Sequence, residues 1–191
     1  MKSLRLALCA IPLVLSGCST LSSVNWSAAN PWNWFGSSTE VTEQGVGKLT
    51  GATPMKEQAI ADALDGDYRL RSGMKTDNGN VVRFYEALKD DKVVMVINGD
   101  QGTIGRIDVM DGDISSASGA EIGTPFSDLY TKAFGNCQKG TGDDSAGVEC
   151  KAEGSQHISY VFSGSWSGPE GLMPSDDTLK DWKVSKIIWR R

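Results

Sequence analysis

Histidine is nearly absent from this chain: His157 is the only one in 191 residues. Zinc sites gather about three or four clustered nitrogen, sulfur or carboxylate ligands. With one His and no Cys-x-x-Cys spacing, no metal or cofactor is expected. Asp108, Asp111 and Asp113 surround Gly112, but without the EF-hand order of oxygen ligands they read as an acidic turn. Basic clusters are missing as well. The formal net charge is −5, whereas nucleic acid and anionic headgroups select Lys/Arg patches, so no nucleic-acid partner is expected. No apolar run reaches the ~20 residues of a spanning helix. A nucleophile elbow is lacking too: Gly164-Ser165-Trp166-Ser167-Gly168 has Trp166 where that motif needs Ser. A triad is recognised by geometry, so one could still assemble from distant parts, but only through His157. Asp and Glu are too numerous to single out a glycan-cleaving pair. No catalytic residue is nominated.

The start of the chain carries the most information. Lys2 and Arg5 form a positive head, and an apolar run broken by Pro12 ends on Leu15-Ser16-Gly17-Cys18. A basic head, an apolar stretch of ~7–15 residues and small residues at the cut define a secretory signal. The last four residues resemble the bacterial lipobox, in which the Cys thiol is alkylated by diacylglycerol and becomes the new N-terminus. Residues 1–17 are therefore read as a cleaved signal peptide and Cys18 as the lipidation site. One acyl chain binds a membrane marginally and two or more bind it stably. The mature chain is thus expected on a bacterial membrane, facing the periplasm. Ser19 stands where an Asp would retain such a lipoprotein at the inner membrane, which favours the outer one.

Of the remaining cysteines, Cys9 leaves with the signal, and Cys137 and Cys150 stay in an oxidising compartment. Turn formers lie between them, so the segment reads as a loop or hairpin closed by a structural disulfide. A redox-active or metal-binding pair is the alternative.

Residues 18–44 read as a lipidated tether. Trp26, Trp32, Trp34 and Phe35 lie close together in it, among Ser, Asn and Gly. Trp favours the membrane–water interface, so the patch could rest on the bilayer. It could equally pack on the folded domain or dock a partner, since Trp is enriched at binding hot spots. These four residues are the candidate interface.

A single globular domain is expected over 45–191. Thr53-Pro54 looks like an N-cap with Pro at the first helical position, followed by a helix over 55–64 with Ala59, Ile60, Ala63 and Leu64 on one face. Alternation over 68–74 and short Val/Ile/Tyr/Phe runs over 81–88, 93–97 and 104–110, separated by tight turns, predict an antiparallel meander. The run 93–97 is apolar throughout and predicts a central strand covered on both faces. Thr124-Pro125 repeats the helix-start signal, with an apolar face running to Phe134. Strands over 158–162 and 184–189 and a short helix starting at Ser175 complete the pattern. The fold class is α+β, mainly β: an antiparallel sheet or two-sheet sandwich with two or three short helices packed against it.

The lipobox, residues 25–36, the run 62–74 (Asp-Ala-Leu-Asp-Gly-Asp-Tyr-Arg-Leu-Arg-Ser-Gly-Met) and the run 168–174 (Gly-Pro-Glu-Gly-Leu-Met-Pro) together resemble the sigma-E-regulated lipoprotein family of enterobacteria, a domain of unknown function. The resemblance runs over the whole chain. It implies an envelope lipoprotein made under outer-membrane stress and supplies no catalytic or binding residues. Two functional readings follow. One is a non-catalytic binding or support role, with the membrane held through Cys18 and an envelope protein as possible partner. The other is a periplasmic hydrolase or small-ligand binder with its site near His157 or Trp166.

Overall fold

The computed structural model describes residues 39–191 apart from Asn78 and Glu170. The signal segment, Cys18, Trp26, Trp32, Trp34 and Phe35 lie outside the described residues.

The chain opens with three short strands, β1 (Glu40–Thr42), β2 (Gly45–Val46) and β3 (Leu49–Thr50), then helix α1 (Glu57–Ala63). Four strands follow: β4 (Arg69–Asp77), β5 (Asn80–Lys89), β6 (Lys92–Asp100) and β7 (Thr103–Val109). After them come β8 (Ser115–Ser116), α2 (Phe126–Leu129), β9 (Cys137–Lys139), a 3-10 turn (Gly142–Asp144), β10 (Val148–Lys151), β11 (Ile158–Ser163), α3 (Asp176–Leu179) and β12 (Lys183–Arg190). The large sheet has eight strands in the order β4-β5-β6-β7-β12-β11-β10-β9, every neighbour antiparallel. The small sheet runs β3-β2-β1-β8 and is antiparallel except for the parallel β1–β8 pair. The expected class, α+β and mainly β, is what the chain adopts. Its first strand lies ahead of Gly45, the expected start of the domain.

Because side chains alternate along a strand, register divides the large sheet into rows. Ala87, Met95, Val109, Ile187, Tyr160, Cys150 and Cys137 are paired in sequence across seven strands. This row points inward. It is covered by Val41, Val46 and Leu49 of the small sheet, Ile60 and Leu64 at α1, and Phe126, Leu179 and Trp182. Phe126 meets Phe162 edge-on at 5.1 Å between centroids, a favoured aromatic geometry. The next row, Glu86, Val96, Asp108, Ile188 and Ser159, points to the opposite side. The 93–97 run does form an interior strand, with Met95 and Ile97 buried and Val94 and Val96 half-buried. The middle of the sheet, however, is the pairing of β7 with the C-terminal β12.

Both Thr-Pro dipeptides depart from the expected role. Thr53 Oγ1 accepts from Thr50 N–H, and Pro54 bridges to Thr103, so α1 starts later, with Lys56 as N-cap. Thr124 Oγ1 accepts from Glu121 N–H, and Pro125, extended at ψ 148°, bridges to Lys183. In each case the extended backbone around proline pairs briefly with the large sheet before a helix begins. The second helix also stops early. Tyr130 turns extended and donates its hydroxyl to the Lys151 carbonyl at 2.6 Å, while Ala133 N–H binds Asp176 at 2.8 Å. These contacts draw the chain off the helix axis and leave Phe134 at 86% exposure. The short helix after Ser175 begins as expected, with Ser175 Oγ accepting from Thr178 N–H. One glycine is sterically required in the small sheet: a Cβ on Gly45 would fall 1.8 Å from the Leu49 carbonyl oxygen.

A polar cleft on the outer face of the large sheet

Val161 and Ile188 are buried yet separate from the main core. They lie on the outer face, and the 140–147 loop between β9 and β10 reaches over it. The loop closes on itself through Gly140 N–H to the Gly147 carbonyl and Gly147 N–H to the Asp144 carbonyl. A Cβ on Gly147 would come within 2.8 Å of Val161, so the close approach depends on glycine there. The loop delivers Asp144 onto the sheet. Lys186 Nζ lies 2.5 Å from its Oδ1 and Arg106 Nη2 lies 3.0 Å from its Oδ2. Arg106 Nε in turn lies 2.6 Å from Asp108 Oδ1. Burial would raise the Asp144 carboxyl's pKa, but the hydrogen bonds and charges of Lys186 and Arg106 outweigh it and hold it below the ordinary value. For Arg106 burial opposes the charged form, while Asp108 and Asp144 carry its pKa above the ordinary value.

A second cluster sits beside the first, because Arg190 is paired with Arg106 across the sheet. Arg190 grips Glu149 with both terminal nitrogens, at 2.6 and 3.1 Å, the fork geometry that suits a carboxylate. Ser159 Oγ donates to Glu149 at 2.6 Å. Glu149 is likewise held below its ordinary pKa: burial pushes up, and Arg190 and Ser159 more than offset it.

These clusters border two hollows that share Thr141. The first, about 550 Å³, contains His157, Ser159, Glu149 and Arg190. The second, about 660 Å³, contains Asn98, Arg106, Asp108 and Lys186. Asn98 is 7% exposed, and neither its Nδ2 nor its Oδ1 has a hydrogen-bond partner. A buried, unsatisfied amide costs ~1–3 kcal/mol, so it calls for an explanation.

The first hollow brings together a His, a Ser and a half-buried carboxylate, the combination a hydrolase would need. They are not wired as one. His157 Nδ1 lies 2.7 Å from the Arg190 carbonyl oxygen. A carbonyl can only accept, so Nδ1 carries the proton. The Ser159 hydroxyl is given to Glu149, which Arg190 stabilises as the anion and so makes a weak base. The nearer Ser155 accepts from the backbone N–H groups of His157 and Ile158 and donates to Glu43. Trp166 is elsewhere: it lines a separate hollow of about 490 Å³ with Pro169 and Lys139 and lies over Gly168.

Cys137 and Cys150 form the disulfide, directly opposite one another on β9 and β10. Among the described residues no three His, Cys, Asp or Glu side chains are gathered as metal ligands. Asp111 accepts from Tyr68 and from Asp113 N–H, and Asp113 pairs with Lys89 at 2.5 Å. Asp108 faces the second hollow. No helix among the described residues is long and apolar enough to cross a membrane.

Sequence reasoning did not nominate Arg106, Asp144, Glu149, Lys186, Arg190 or Asn98. A signal for part of this set exists in the strands. Arg106 and Asp108, and Lys186 and Arg190, are charged residues at even spacing within strands that also carry Ile104, Ile107 and Val109, and Val184, Ile187, Ile188 and Trp189, which puts each pair on one face.

Comparison with known proteins gives three findings. The family model "Protein of unknown function (DUF1131)" matches residues 23–191. The uncharacterized protein YfeY of Escherichia coli (strain K12) is 80% identical over 191 residues, spanning 100% of both chains. A crystal structure of the uncharacterized protein yfeY from Escherichia coli is similar at a TM-score of 0.75 with 74% sequence identity, covering 80% of this chain and 100% of that one.

Proposed function

We propose that this chain, which belongs to the DUF1131 family of proteins of unknown function, is an envelope lipoprotein that binds another envelope component rather than transforming it. Cys18 would hold it to the membrane, facing the periplasm and favouring the outer membrane by Ser19, and the resemblance implies synthesis under outer-membrane stress. The Trp-rich tether would set the distance from the bilayer and contribute a contact. The observation that carries the binding role is the state of the outer-face clefts. Arg106 and Lys186 are bonded to Asp108 and Asp144, Arg190 is bonded to Glu149, and the Ser159 hydroxyl is committed to Glu149. Such side chains can recognise, but they offer no activated nucleophile and no free base.

The test is in-cell crosslinking under envelope stress, with affinity purification and mass spectrometry, comparing the natural chain with a lipidated Trp32→Ala/Trp34→Ala chain. One dominant envelope partner, lost in the variant, is the expected result. If both chains recover only background, the docking role of the tether is wrong.

A hydrolase in the first hollow is the second reading, favoured by the shared placement of His157, Ser159 and Glu149. The two readings separate on His157→Ala. Full complementation of a deletion strain in stress-survival assays would rule out a His157-dependent enzyme. Loss of complementation with normal protein levels would favour the enzyme only together with a hydrolytic activity of the purified natural chain that the variant lacks.

A further inference from the structure

We propose that β4, the open edge of the large sheet, takes up an extended segment of a partner protein, a strand that alternates acidic with apolar side chains. This rests on the binding role above and names where on the domain, and by what chemistry, a partner is held. The large sheet has two edges. β9 has three residues, whereas β4 has nine, and nothing lies beyond it in the strand order. In an antiparallel pair every second residue turns its N–H and C=O away from the neighbouring strand. Apart from the β5 ladder, no backbone hydrogen bond among the described residues reaches β4. Arg71, Ser72, Met74, Lys75 and Thr76 are exposed, so no described element covers the edge there. Natural edges are blunted by shortness, proline, a bulge, charge or a covering element. β4 contains no proline and pairs with β5 at every residue without a register shift, which leaves charge as its only guard. An open row of this kind is what strand addition uses: main-chain bonds give affinity and alternate side chains give specificity.

The side chains choose the partner. Register puts Arg69, Arg71 and Lys75 on the outer face with Glu86, and Leu70, Ser72, Met74 and Thr76 on the inner face with Ala87 and Tyr85. Lys75 forms no ion pair with a described residue. Arg71 spends only Nε on Glu86, which leaves both terminal nitrogens, and Arg69 spends Nη2 on Asp91. Both arginines are exposed in these pairs, and exposed pairs hold their charges loosely. Of the carboxylates that share a hollow with Lys75, Asp100, Asp108 and Asp144 are bonded to Arg191, Arg106 and Lys186, so they do not cancel it. Like charges directly opposite destabilise a strand pair and opposite charges stabilise it. Three cations at alternate positions therefore oppose a basic strand. They also oppose a second copy paired about Gly73, which would set Arg71 against Lys75. Acidic side chains in the same places turn the row into an attraction. On the inner face Met74 is 71% exposed, and an apolar residue of the added strand would cover it.

The test titrates the full chain in detergent micelles with three synthetic seven-residue peptides, in which valine alternates with glutamate, with lysine or with serine. Titration calorimetry is expected to show the glutamate peptide binding at least tenfold more tightly than the other two and losing affinity as salt is raised. Lys75→Glu alters an exposed side chain, so the melting temperature should stay level while the glutamate peptide binds at least fivefold more weakly. Two further glutamate peptides separate strand addition from charge attraction alone, one N-methylated at every valine and the other at every glutamate. A strand presents only alternate N–H groups to one neighbour, so one of these two should bind at least tenfold more weakly than the parent and the other should keep most of its affinity. The proposal is overturned if the glutamate peptide does not bind, if the three peptides bind alike, if Lys75→Glu changes nothing, or if the two N-methylated peptides behave alike. It is also overturned if sedimentation shows the natural chain as a dimer that Met74→Arg returns to a monomer, because the edge would then belong to a second copy. The peptide ranking is read on the unaltered chain and so stands apart from any variant's folding. A negative result here leaves a partner found by crosslinking through Trp32 and Trp34 in place, and the absence of such a partner leaves the peptide titration intact.

Discussion

Asp144→Ala is expected to destabilise the folded domain by about 3 kcal/mol, the lower end of the cost of breaking a buried ion pair. Asp144 is the only carboxylate bonded to Lys186 among the described residues, and the Lys186 side chain is 15% exposed. Removing the carboxylate leaves that ammonium desolvated and unpaired. Arg106 loses less, because it keeps Asp108 and retains some solvent, which is why the upper end of the range is not expected. For a domain of this size ~1 kcal/mol moves the melting temperature by about 2–4 °C, so a fall of about 6–12 °C should appear in a thermal melt followed by circular dichroism. Lys186→Met in the same background should recover part of the loss, since it removes the orphaned charge and fills the same space. A fall of a degree or less for Asp144→Ala would mean that the pairing over the sheet is loose in solution.

The same carboxylate gives a pH dependence with a definite sign. Asp144 is held below its ordinary pKa in the folded chain, so the folded state keeps it ionised more readily than the unfolded state does. Its stabilisation is fully present above the unfolded value of about 3.9 and is lost as pH falls through the lowered folded value. Glu149, lowered by Arg190 and Ser159, acts in the same direction. Acid unfolding below about pH 4 should therefore be shallower in Asp144→Asn than in the natural chain, and the stability gap between the two should close as the pH drops.

The long strands were legible because each carries its own pattern. Alternation in 68–74 and β-branched runs in 81–88, 93–97, 104–110 and 184–189 are local signals, and β4 to β7 and β12 formed there. What local signals could not reveal was placement. Nothing in Val184 to Trp189 says that the last strand inserts beside β7 rather than at an edge, because that is settled by which inner rows fit together. The Thr-Pro dipeptides misled for a similar reason: an extended residue before a helix is also a residue free to pair with a sheet, and Thr103 and Lys183 were within reach. The two-residue strands of the small sheet are too short for any periodicity. At the site, the even spacing of Arg106 and Asp108 was readable, but Asp144 reaches them from a separate loop. Asn98 is distinguished only by the partners it lacks, a property that requires coordinates.

Replacing both Cys137 and Cys150 by Ala is expected to cost about 3 kcal/mol, the chain-entropy value for closing a loop of about 14 residues. The bond joins residues that face each other on β9 and β10, and β9 is the edge strand of the large sheet. With only three residues, Cys137–Lys139, β9 has few ladder hydrogen bonds, so the covalent link is its main restraint. The loop that delivers Asp144 grows directly from β9. Loss of the bond should therefore loosen the Asp144 contacts as well as the edge. This makes the two perturbations coupled rather than independent. In a double-mutant cycle, the loss for Asp144→Ala combined with Cys137→Ala/Cys150→Ala should fall short of the sum of the separate losses by more than the ~0.5 kcal/mol typical of independent sites. Urea unfolding of the four chains supplies the numbers. Strict additivity would show that the loop holds Asp144 on Arg106 and Lys186 without help from the disulfide, and that the bond serves the sheet edge alone.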